Sequence, residues 1–149
     1  MGYTPLSVII AASASSIQST QTTLSNTSGS SIAALTPVRV DSNGKIQLID
    51  VSTEISALSV VGITQASIAN NSSGNVITQG RILDVTTSFT AGDYIYVSKT
   101  GTLTNVLPTN GLNGFVDGDF IVRIGVVAKN EIDINKKDLF ISLSITGQM

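Results

Sequence analysis

The chain has 149 residues, enough for one β domain with an additional segment, and its 8 Lys+Arg against 10 Asp+Glu give a net charge of −2. It contains no Cys and no His, which removes disulfides, thiolate metal sites, thiol nucleophiles and the commonest general base. Only 12% of residues are charged, against roughly 25% in an ordinary soluble domain, and the one adjacent basic pair, Lys136-Lys137, is flanked by Asp133 and Asp138, so nucleic-acid binding by phosphate neutralisation is not expected.

Residues 1–38 carry no charged side chain, and 15 of those 38 are Ser or Thr. All 18 charges lie beyond them. This shift in composition predicts an N-terminal arm over 1–36 and a β-rich body over 37–149. Disorder is favoured by high charge and few apolar residues, whereas this segment supplies Val8, Ile9, Ile10, Ile17, Leu24, Ile32 and Leu35 at intervals. Val8, Ile9, Ile10, Ile17 and Leu24 are the candidate attachment residues. They suit an arm that becomes ordered against neighbouring subunits, with a solvated tail as the alternative. Ala12-Ser13-Ala14 faintly resembles a signal-peptidase site, yet no Lys or Arg precedes the short apolar run of Leu6 to Ala12. That run is too short to span a bilayer, and no membrane role is expected.

The body reads as strands. Val38 to Val40 leads into Asp41-Ser42-Asn43-Gly44 and then Lys45 to Ile49, a hairpin pattern in which Asn-Gly supplies positive φ angles. Asp50 to Leu58 is the best helical candidate, at most two turns, with Ser52 as cap and Glu54 in the first turn. Val60 to Ile63 is a strand, Asn70 to Gly74 a loop, and Val76 to Val85 a strand with a bulge or close backbone approach at Gly80. Ala91-Gly92-Asp93 turns into Tyr94 to Val97, a half-buried strand, and Lys99-Thr100-Gly101 turns that into Thr102 to Thr104. Residues 108–118 form a loop rich in Asn-Gly and Asp-Gly pairs. Phe120 to Val127 is an apolar strand interrupted by Gly125, and Leu139 to Ile145 alternates, with Leu139, Ile141, Leu143 and Ile145 on one face. The expected class is all-β: a small antiparallel sandwich or barrel with an extended N-terminal arm.

Catalysis without His or Cys would rest on carboxylates, Lys, Tyr or Ser. Asp117-Gly118-Asp119 is the tightest acidic cluster and could share a hard cation or act as an acid/base pair. Ordinary turn chemistry is the favoured reading. Asp41, Asp50 and Glu54 read as turn, cap and solvated-edge residues. Ser without a base is no nucleophile signature, and Gly74 to Gly80 lacks the Lys of a phosphate loop. Tyr94 and Tyr96 share one strand face and form either a small sugar-stacking platform or a packing pair. No enzyme activity, cofactor or metal is expected.

The order Ser59-Val60-Val61-Gly62-Ile63-Thr64, Gly74 to Gly80, Phe89-Thr90-Ala91-Gly92-Asp93-Tyr94-Ile95-Tyr96-Val97-Ser98, Gly101 to Thr104 and Ile124-Gly125-Val126-Val127-Ala128 resembles the small β domains of tailed-phage surface proteins. These are head fibres, capsid decoration (cement) proteins and related tail-fibre modules. The likeness covers roughly residues 36–146. It implies a structural virion protein without catalytic residues, working as a homo-oligomer and suggestive of a trimer. Its partners would be itself and the major capsid or another virion protein. The alternative is a tail-fibre or baseplate module that reads a host surface glycan through loops such as 105–118. A carboxylate-dependent hydrolase using Asp117 and Asp119, and a secreted adhesin or pilus-like protein, are the remaining readings. A chain beginning near Thr36 is expected to stay β-structured and to fail in attachment.

Overall fold

The structure is a computed structural model and describes residues 18–149. Among the described residues nine strands and one short helix follow each other: β1 (Ser19–Ser25), β2 (Pro37–Val40), β3 (Ile46–Leu48), α1 (Glu54–Leu58), β4 (Val60–Thr64), β5 (Ser73–Val85), β6 (Tyr94–Val97), β7 (Leu103–Thr104), β8 (Phe120–Lys129) and β9 (Lys137–Gln148). They form one sheet in the order β3-β2-β4-β5-β9-β8-β6-β7, with β1 added on β5. Every named pairing is antiparallel, and the sheet curls into a half-barrel. The expected all-β class is what the chain adopts.

The alternating pattern at the C-terminus sets the spine. Leu139 and Ile141 are buried and Phe140 faces out, while Leu143 and Ile145 pack on the rim of the main core. β9 runs against β8 from Lys137↔Lys129 to Gln148↔Phe120. The two backbones come so close that a Cβ on Gly125 would stand 1.7 Å from the Phe140 carbonyl oxygen; only glycine fits there. Gly62 meets β5 in the same way, its absent Cβ falling 2.0 Å from the Ile77 carbonyl oxygen. The main core lies inside this curl and includes Ile63, Ile77, Ile95, Val97, Val122, Ile124, Leu139 and Ile141. A smaller core joins Ile32, Val38, Ile46, Ile68 and Val76.

Several local expectations are refined. In the β2–β3 hairpin, Gly44 takes a positive φ of 74° and Asn43 does not. The Asp41 carboxylate instead accepts from the Asn43 and Lys45 amides and stiffens the turn. α1 falls within the expected helical stretch, but Ser52 does not cap it: its hydroxyl donates to Asp50, and Thr53 occupies the cap position with its hydroxyl turned back to the Asp50 carbonyl rather than capping the helix. β5 begins at Ser73, inside the expected loop, because Ser73 and Gly74 pair with Ser25 and Leu24 of β1.

That last pairing bears on the uncharged segment. β1 lies along β5 over seven residue pairs, from Ser19↔Gly80 to Ser25↔Ser73. Asn26 is fully buried, its amide donating to the Ser30 and Ile68 carbonyls, and Ile32 enters the smaller core. From residue 18 onward, then, the uncharged stretch is laid onto the body. A chain beginning near Thr36 would lose a strand and Ile32.

Candidate functional site

Among the expected attachment residues, Val8, Ile9, Ile10 and Ile17 lie outside the described residues. Leu24 is half-buried in β1 and packs against the smaller core, so its side chain ties β1 to the body.

Of the two candidate catalytic carboxylates, Asp117 is exposed and Asp119 is placed in a structural role. Asp119 is buried and is gripped by Lys99, whose Nζ donates to both carboxylate oxygens at 2.8 and 2.7 Å. The Val116 amide donates to it as well, at 2.9 Å. Burial opposes the ionised form, but the Lys99 ammonium and the amide outweigh it and hold the carboxyl below its usual range. This knot closes loop 105–118 onto the body, where Phe115 is buried in the main core. Asp41 and Asp50 accept hydrogen bonds within their own turns. No group of three or more His, Cys, Asp or Glu suited to a metal ion occurs among the described residues.

Tyr94 and Tyr96 do not make a shared platform. Tyr94 is 53% exposed, with the Arg123 guanidinium 4.4 Å from its ring centre, whereas Tyr96 is buried. The β6–β8 register slips between Ile95 and Tyr96, and β7 flanks Tyr96 on the other side.

A second buried knot lies at the far end of β8. Asp138 on β9 accepts from Arg81 Nε at 2.7 Å, from the Asp84 amide at 3.1 Å and from Asn130 Nδ2 at 2.9 Å. Burial again opposes ionisation, and these donors outweigh it, so the Asp138 carboxyl also sits below its usual range. Asn130 is itself buried and gives its second amide hydrogen to the Asp84 carboxylate at 2.8 Å. Asp84 is held at a positive φ of 61°, a conformation costly for a non-glycine residue unless its surroundings enforce it. Asn130 Oδ1 accepts from the Ile132 and Asp133 amides at 2.9 and 2.7 Å. The Asp133 carboxylate accepts from the Asn135 amide, and the Asp133 carbonyl accepts from the Lys136 amide. The β8–β9 loop is thus fixed bond by bond. It displays Ile132 and Ile134, 97% and 83% exposed.

Sequence reasoning missed this knot because its members are far apart: 57 residues separate Arg81 from Asp138. A shallow depression of about 260 Å³ opens beside it, lined by Gln18, Leu83, Glu131 and Ile132 among others. A larger cleft of about 590 Å³ adjoins through Gln18, Arg81, Leu83 and Asp84 and reaches the aliphatic Leu35, Ile77 and Ile82.

The geometry offers anchored loops and apolar outward-facing side chains: material for contact between macromolecules. A family model described as phage cement protein matches residues 17–134. No curated protein and no solved structure matches the chain significantly.

Proposed function

This chain belongs to the phage cement protein family, and from that premise we propose that it binds the outside of a phage head as a homo-oligomer, with the uncharged N-terminal segment as one of its attachment devices. The family is one of structural virion components that associate with the capsid. The observation that carries the reading is a family match over residues 17–134, from before β1 to the β8–β9 loop, joined to a sequence with very few charges. Uncharged Ser, Thr and aliphatic side chains enter a protein interface without the cost, several kcal/mol for each ion, of stripping water from charges.

Within the segment 1–36, the part assigned to attachment is the part before β1, with Val8, Ile9, Ile10 and Ile17 as contacts. Leu24 serves by fixing β1 to the body. A trimer on the shell, presenting loop 105–118 outward as a head fibre would, agrees with this arrangement. Many weak contacts per oligomer then make attachment effectively permanent. The family assignment favours the shell over a host glycan as partner. The protein works without catalysis, and Asp119 is committed to Lys99.

The test is to add purified protein to shells assembled without it. Co-sedimentation with the shells and a mass of three chains for the free protein are expected. Absence of shell binding, or a stable monomer at micromolar concentration, contradicts the corresponding part of the reading. Reproducible glycan hydrolysis lost in Asp117→Asn would overturn the non-catalytic part.

A further inference from the structure

We propose that the tip of the β8–β9 hairpin, with Ile132 and Ile134 held outward, is the body's own contact with the capsid shell, set beside the uncharged segment. The inference rests on the attachment reading above and assigns it a surface.

Single exposed aliphatic residues are ordinary on proteins. This tip departs from that in three ways. Its two isoleucines stand almost free of the body, 97% and 83% exposed, and Leu83 nearby on the same depression is 45% exposed. Its backbone is pre-formed: Asn130, buried and fully engaged, holds the Ile132 and Asp133 amides. A loop already fixed in shape loses little freedom on binding, which raises affinity. The third departure is its position. The 17 uncharged residues that precede the described part join the body at Gln18, whose carbonyl accepts from the Arg81 amide. Arg81 is the residue that grips Asp138 and so steadies the tip. The described body therefore begins, at Gln18, on the same depression as Ile132 of the apolar tip.

The opposite pole has its own exposed apolar side chains: Ile55 and Leu58 on α1 are 79% and 55% exposed, and Val116, its amide held by Asp119, is 54% exposed. It lies at the Phe120 end of β8, where the Phe120 amide donates to the Val51 carbonyl. Ten strand residues put it roughly 30 Å from the tip. No uncharged segment joins the body there, and α1 has no side-chain cap. The occupant we assign to the tip is an apolar recess on the outer surface of the shell, able to take two branched aliphatic side chains.

The experiment compares full-length protein with the double variant Ile132→Ser/Ile134→Ser and the control Ile55→Ser/Val116→Ser, on shells assembled without the protein. The tip variant should bind shells more weakly by roughly tenfold for each isoleucine, with unchanged melting and unchanged oligomeric state. The control should bind like the parent. Parent-like binding by the tip variant overturns the inference and leaves the attachment reading standing. A lost oligomer would make the tip a contact between copies and overturn it too. Failure of the parent protein to bind shells would overturn the attachment reading itself, and the inference with it.

Discussion

Two buried aspartates sit at opposite ends of the β8–β9 spine; one holds a loop with an apolar anchor in the core and the other a loop without one. Asp119, tied to Lys99 and the Val116 amide, closes loop 105–118 over a buried Phe115, while Val106, Leu107, Leu112 and Val116 of that loop stay exposed. Asp138, tied to Arg81, Asn130 and the Asp84 amide, steadies a tip whose isoleucines point away from the core. The chemistry is nearly the same: one buried carboxylate, one cation 28% exposed, and at least one backbone amide. The first knot completes packing. The second holds Ile132 and Ile134 in water on a fixed backbone, the feature on which the proposed shell contact rests. Exposure that is held in place differs from exposure left over.

The largest change should come from the spine that both ends share. Gly125→Ala places a methyl group 1.7 Å from the Phe140 carbonyl oxygen, and a cost of about 4 kcal/mol or more is expected. Thermal unfolding should show a collapse of stability, and an unaltered melting point would mean the two ends are not joined as described. Asp138→Ala comes next. It strands Arg81 and Asn130 and should cost about 3 kcal/mol, at the lower edge for a broken buried pair because Arg81 is partly solvated. Asp119→Ala should cost about 2 kcal/mol, having fewer donors to strand. Hydrogen exchange separates the two: the first should loosen 130–136 and the second 109–118. Loosening of both loops by either variant would break the comparison.

Much of the framework was legible in the sequence. The alternation from Leu139 to Ile145 and the turn before Tyr94 are local signals, and local signals translate directly into strands. What escaped was long-range. An uncharged Ser/Thr stretch carries no mark of its partner, so the pairing of β1 with β5, set 52 residues away between Thr23 and Asn75, was not visible. The Arg81–Asp138–Asn130 knot is hidden for the same reason. The burial of Tyr96 depends on β7 and a register slip that no dipeptide announces. Composition marks the five candidate attachment residues without distinguishing a contact from a core position, and Leu24 packs against the smaller core.

Acid should act on both knots together. Each carboxyl is held below its ordinary value of 3.8 in the folded chain. Each therefore adds stability that is fully present above that value and is lost as pH falls through the lower folded values. Melting temperature should hold between pH 7 and 5 and fall below pH 4. Asp138→Asn should flatten part of that fall, and a profile identical to the parent's would deny the knot its role. The smallest effect belongs to the tip: Ile132→Ser should change the stability of the free protein by no more than about 0.5 kcal/mol, because the side chain touches almost nothing. A clear loss of stability in denaturant unfolding would show that Ile132 packs in solution.

Hydrogen exchange of the protein free and bound to shells tests the central claim most directly. The account predicts new protection on the shell in residues 1–17 and 130–136, with exchange in 105–118 unchanged. Protection in 105–118 and none in 130–136 would contradict it.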